Sequence, residues 1–209
     1  EEGKLLVKYK GQLQYWPAQE TVLPSTRIIN KEAFPIVEKG IRTNNKNFVR
    51  VFGCKEYTSQ YEIIPSTAKV SNLNMSFQAY FLDFIKYAKA FSEKNDTIGT
   101  TINNLKVTLV NSISIKENDE ELLIESNYTL LRRIISDWYI VVNTASYDRN
   151  KMSECIENIF ANIANTPGFD VSKIGELFRT DNTETRKFLI TKEFGSLDVI
   201  NKDFGINHI

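Results

Sequence analysis

The chain has 209 residues, 42% of them hydrophobic, with 26 basic residues against 26 acidic ones. That length buries one substantial core or two small ones, the apolar content excludes a disordered chain, and the balanced charge leaves no global field to steer it onto nucleic acid or an anionic membrane. Its single histidine, His208, stands second from the end of the sequence, where chain ends fray, which removes most metal-dependent and proton-shuttling chemistry.

The first 70 residues read as irregular. Leu5–Lys10 and Gln12–Trp16 are predicted strands of a hairpin turning at Gly11. Pro17, Pro24 and Pro35 interrupt any regular element, so residues 17–45 are expected to be extended, with one short helix near Glu32–Lys39. Asn47–Phe52 reads as a helical turn closed by Gly53, the residue that best tolerates a left-handed cap. Tyr61–Ile64 reads as a strand that stops at Pro65.

Residues 71–147 carry the clearest pattern. Leu73, Phe77, Tyr80, Phe81, Phe84, Ala88 and Phe91 recur at three- and four-residue steps, predicting a long amphipathic helix with an aromatic, core-facing stripe. Leu105–Ile115 reads as a strand, Leu122–Arg133 as its return, and Trp138–Val142 as a third strand after a break at Ser136-Asp137. The expected arrangement is an antiparallel meander on the long helix. Glu117-Asn-Asp-Glu-Glu121 lacks the ligand alternation and the glycine of a calcium loop, and reads as a solvated hairpin tip.

Residues 148–209 read as a helical subdomain. Asp148 is placed to cap a helix with Met152, Cys155, Ile156, Ile159, Phe160 and Ile163 on its apolar face, ending at Pro167-Gly168. Asp170 caps a second, with Val171, Ile174, Leu177 and Phe178 inward, and Asp181 or Asn182 a third that runs through Phe188 to Gly195. The fold expected is therefore α+β: a short antiparallel sheet packed on one long amphipathic helix, with a C-terminal helical cap.

Function is expected to be non-catalytic. Neither glycine-rich nucleotide fingerprint occurs, nor does Gly-x-Ser-x-Gly or His-Glu-x-x-His. No catalytic residue, cofactor site or metal site is assigned. Cys155 is expected in the core and Cys54 nearer the surface, and two cysteines do not make a disulfide framework, so a reducing, cytoplasmic setting is expected. The opening Glu-Glu-Gly-Lys lacks the pattern of a signal peptide, and no apolar run approaches the roughly 20 residues that span a bilayer. Residues 39–94 hold nine basic residues and four acidic ones. The alternative to a scaffold is thus a nucleic-acid contact through Lys46, Arg50, Lys86 and Lys89. A helix-turn-helix around Thr183–Phe194 is disfavoured, because residues 148–209 carry eight bases and ten acids.

Taken in order, residues 47–200 resemble a segment of large bacterial ATPases of the sacsin-like and NO VEIN-like type. Asn47-Phe-Val-Arg-Val-Phe-Gly-Cys-Lys-Glu-Tyr57 is similar to the entry of that segment, and an aromatic helix, two strands and a Trp-Tyr run come after it as in Phe77–Phe91, Leu105–Ile115 and Trp138–Val142. Leu177-Phe-Arg-Thr-Asp-Asn182 matches its closing pattern. The resemblance implies a non-catalytic segment of a larger machine whose Hsp90-type ATP site lies on another domain, and whose partners are other domains of the chain or another protein. It also implies a defence role. It carries no site residue onto this sequence.

Overall fold

A computed structural model describes residues 3–38, 51–58, 60–92, 96–163, 171–180, 184, 185 and 188. The chain is α+β. It forms two compact units: residues 1–64 with 114–123, and residues 65–113 with 124–209.

The first unit is built on a hairpin. Strands β1 (Lys4–Tyr9) and β2 (Gln12–Pro17) pair antiparallel, with Tyr9 opposite Gln12 and Lys4 opposite Pro17. Lys10 and Gly11 both take positive φ (48° and 76°), the two-residue turn whose twist suits a hairpin. β1 also pairs with β3 (Ile36–Val37), giving the order β2-β1-β3. The predicted helix near Glu32–Lys39 is instead a 3-10 turn at Lys31–Ala33 leading into that strand. Pro35 keeps the backbone extended there, and Asn30 caps the turn by accepting from the Glu32 N–H (3.2 Å). Gly53 takes φ +72° as expected of a left-handed cap. Leu5, Ala18, Val37 and Cys54 form one small core and Val22, Ile28, Ala33, Phe34 and Tyr57 another. Cys54, expected nearer the surface, is only 3% exposed, because it comes directly after the glycine that turns the chain back into that core.

The second unit holds strands Pro65–Val70 of β4 (Glu62–Val70) and Lys106–Ile113 of β5 (Lys106–Glu117), with β7 (Thr129–Ile134) and β8 (Asp137–Val141), in the order β4-β5-β8-β7. The sheet is mixed, which corrects the antiparallel meander. β8 runs parallel to β5, with Val107 beside Trp138 and Leu109 beside Ile140, and antiparallel to β7. All five β8 residues are buried, and the apolar run that starts at Trp138 suits a central strand covered on both faces. The return expected over Leu122–Arg133 is split into β6 (Glu120–Ile124), which pairs β5, and β7. Tyr128, at φ 62°, turns the chain between them. β4 runs through Pro65 rather than stopping there. It is the last strand in its order, where a missing N–H can face away from the ladder.

The long helix, α1 (Asn74–Ser92), lies where its stripe predicts. Its first residue is tied to β5: the Leu109 N–H donates to Asn74 Oδ1 at 2.9 Å. Phe77, Phe81, Ile85 and Ala88 enter a core with Val107, Leu109, Trp138 and Ile140. A short α2 (Asp96–Asn103), not among the expected elements, adds Ile102. Asp148 caps α3 (Arg149–Ile163), accepting the Asn150 and Lys151 N–H groups at 2.8 and 3.2 Å. Met152, Cys155, Ile156, Ile159 and Phe160 are buried as predicted. The helix α4 (Val171–Arg179) packs beside α3, with Leu177 and Phe178 inward. There Gly175 leaves room for Glu157, which pairs with Arg179, and the Ser153 hydroxyl donates to the Gly175 carbonyl at 2.8 Å. The predicted caps Asp170, Asp181 and Asn182, and the helix to Gly195 apart from single described positions, lie outside the described residues, as does His208. No helix among the described residues is long and apolar enough to cross a membrane.

Both cysteines are free and buried. Burial, with the nearby Glu154 charge second, pushes the Cys155 thiol up to about 11. A raised pKa favours the neutral thiol, so this contribution to stability is complete below the ordinary thiol range and is lost as the pH climbs through about 11. Neither thiol should react with Ellman's reagent at pH 8 in the native protein, and both should react in denaturant. Prompt labelling of either one before unfolding would contradict the packing described.

Candidate functional site

A buried, hydrogen-bonded carboxylate lies in the first unit. Glu117, the last residue of β5, is 1% exposed. The odd-numbered positions Ile113 and Ile115 are both fully buried, so the period of two continues inward onto a carboxylate. The turn Asn118-Asp119, with φ 52° and 63°, then reverses the chain into β6. A buried carboxylate is costly unless hydrogen-bonded, and Glu117 is. Its Oε2 accepts the Asn30 N–H at 2.6 Å, and its Oε1 accepts the Tyr57 hydroxyl.

Tyr57 is held from several sides. Its ring meets Phe34 edge-on, with centroids 5.5 Å apart. The Arg27 guanidinium sits 5.6 Å from the ring centroid and donates to the Tyr57 carbonyl at 2.7 Å. Burial first, and then the hydrogen bond to Glu117, push the phenol well above its usual range. The phenol is a donor here, not a phenolate nucleophile. Asn118 completes the arrangement by donating from Nδ2 to the Ala33 carbonyl at 2.7 Å. Around the rim, Lys10 pairs with Glu120 (3.1 Å) and Lys116 with Asp119 (3.1 Å).

Both carboxylate oxygens are thus occupied by groups from two other segments. The arrangement clamps the loop around Asn30 and the segment around Tyr57 onto the β5–β6 hairpin. A cavity of about 520 Å³ opens beside Tyr57, lined also by Glu20, Lys55, Glu56 and Asn118. Glu117 does not line it. A second, of about 810 Å³, has Lys8, Lys10 and Lys31 around an apolar floor of Ile28, Ile36 and Val37.

The tip expected over Glu117–Glu121 is therefore only partly solvated: its first residue is core. Among the described residues no group of three acidic, cysteine or histidine side chains is placed to hold a metal. Of the four basic residues singled out in the sequence, Lys46 and Arg50 lie outside the described residues. Lys86 and Lys89 fall within α1, three positions apart.

No family model matches the chain, and neither a curated protein nor a solved structure matches it.

Proposed function

We propose that the chain is a non-catalytic scaffold or interaction module, one part of a larger ATPase of the sacsin-like or NO VEIN-like kind with a defence role. In this reading α1 backs the sheet of the second unit and α4 belongs to a C-terminal helical cap. The module passes conformational change between an ATP-binding domain and a partner. The observation that carries the reading is the commitment of Glu117. Glu117, 1% exposed, accepts the Asn30 N–H on one oxygen and the Tyr57 hydroxyl on the other, an arrangement that fixes loops and keeps the carboxylate out of the neighbouring cavities.

ATP turnover tests the reading when it is measured on these 209 residues and on the complete reading frame that contains them. The frame is expected to encode an adjacent ATP-binding domain, and only the longer protein to hydrolyse ATP. Turnover by the 209 residues alone, or a frame that closes at both ends of this chain, would overturn it.

A further inference from the structure

β2 is the outer strand of the β2-β1-β3 sheet, and its backbone shows which of its groups are already used. In a two-residue hairpin the pair flanking the turn exchanges both backbone hydrogen bonds, and pairs then alternate along the ladder. Tyr9 with Gln12, Val7 with Gln14 and Leu5 with Trp16 are therefore the bonded pairs. Two contacts agree with this parity. The Leu6 carbonyl is turned the other way, accepting the Glu38 N–H at 3.0 Å, and the Ala18 N–H continues the ladder by donating to the Gly3 carbonyl at 3.1 Å. The N–H and C=O groups of Leu13 and Tyr15 consequently point away from β1, off an edge of the sheet that no other described strand pairs.

The same two residues carry the exposed apolar side chains. Leu13 is 61% exposed and Tyr15 71%. Sheet edges are ordinarily guarded by charge, bulges or a mid-strand proline. Gln12–Trp16 contains no charged residue and no proline, and its register with β1 is unbroken. The guard begins only at Pro17.

The neighbouring charges select the occupant. On the face shared by Leu13 and Tyr15, their cross-strand partners Lys8 and Leu6 are joined by Lys4 opposite Pro17. Both lysines are exposed. Glu38 shares this face but stands beyond β1, on the far side from β2. A second copy pairing β2 to β2 would offer these lysines no acidic partner, because Gln12–Trp16 contains no charged residue. We propose that β2 is a strand-addition site for an extended acidic peptide. Its backbone bonds to Leu13 and Tyr15, and glutamates opposite these residues lay their methylenes on the exposed side chains and reach toward Lys8 and Lys4. The proposal rests on the interaction-module reading and names its partner class.

Proline scanning separates this site from a merely sticky surface. Leu13→Pro removes an N–H that points outward and leaves the ladder to β1 intact. The probes are two fluorescein-labelled peptides, Val-Glu-Val-Glu-Val-Glu and the matching Val-Lys repeat, read by anisotropy. The wild-type chain should bind the acidic peptide and not the basic one. Leu13→Pro should weaken binding at least tenfold with an unchanged far-ultraviolet spectrum. Lys4→Glu with Lys8→Glu should reverse the preference between peptides, a readout that holds even if the proline variant fails to fold. Equal binding of both peptides, a folded Leu13→Pro chain that binds as well as wild type, or a concentration-dependent dimer abolished by Leu13→Pro would each overturn the proposal. None of these outcomes bears on ATP turnover, so the module reading stands or falls separately.

Discussion

Replacing Glu117 with alanine is expected to cost the first unit about 3 kcal/mol, because it strands two buried donors at once. The Asn30 N–H and the Tyr57 hydroxyl both lose a charged acceptor, and each orphaned donor costs about 1–3 kcal/mol. Tyr57→Phe removes one donor and should cost about 2 kcal/mol, since it leaves one carboxylate oxygen unmatched. The double variant should be less damaged than the two singles summed, with a coupling of about 1 kcal/mol or more. Urea unfolding measures all three. The two tryptophans separate the signal, because Trp16 belongs to the first unit and Trp138 to the second. Additive effects, or a loss below about 0.5 kcal/mol in Glu117→Ala, would mean that the clamp does not hold the loops. The pH dependence has a definite sign. The raised phenol of Tyr57 favours the protonated state, so its contribution is complete below about pH 10 and is withdrawn as the pH rises beyond that.

Phe178→Ala should cost the second unit about 3–5 kcal/mol, the range for emptying a fully buried aromatic site. Phe178 has no exposed surface. Its ring lies 6.2 Å from Phe77, 5.3 Å from Tyr80 in an edge-on contact and 6.5 Å from Tyr147. It therefore joins α4 to α1 and to the chain leading into α3. These rings cannot all close on the space left by a deleted benzyl group, so most of the cavity persists. Phe188, 65% exposed, supplies the comparison: its replacement by alanine should change stability by no more than about 0.5 kcal/mol. If the two variants unfold at the same urea concentration, α4 is not part of this core.

The elements legible in the sequence are those whose signal is local. Gly11 between two alternating runs gives the β1–β2 hairpin, Asp148 ahead of a 3.6-residue stripe gives α3, and the aromatic spacing from Leu73 gives α1. The differences concern neighbours. Nothing within Trp138–Val142 says which strands flank it, and its unbroken apolar run fits a central strand as well as the last strand of a meander. The missing donor of Pro65 points to a strand end, whereas its place at the edge of the strand order is a tertiary fact. Glu117 is the instructive case at the candidate site. Its position two residues after Ile115 continues the buried alternation, but its charge and its acidic neighbours favour solvent. Its hydrogen-bond partners lie 87 and 60 residues earlier, beyond any local signal.

That separation matters during synthesis on the ribosome. Asn30 and Tyr57 emerge first, and the carboxylate that satisfies them is still 60 residues from Tyr57 in the nascent chain. At about 5–20 residues per second the interval is on the order of 3–12 s. Through that interval the hairpin of β1 and β2 can form from local contacts alone, while the loops that Glu117 will fasten stay open. The polar contacts that Glu117 makes in the first unit form only after the leading strand of the second, Pro65–Val70, has been translated.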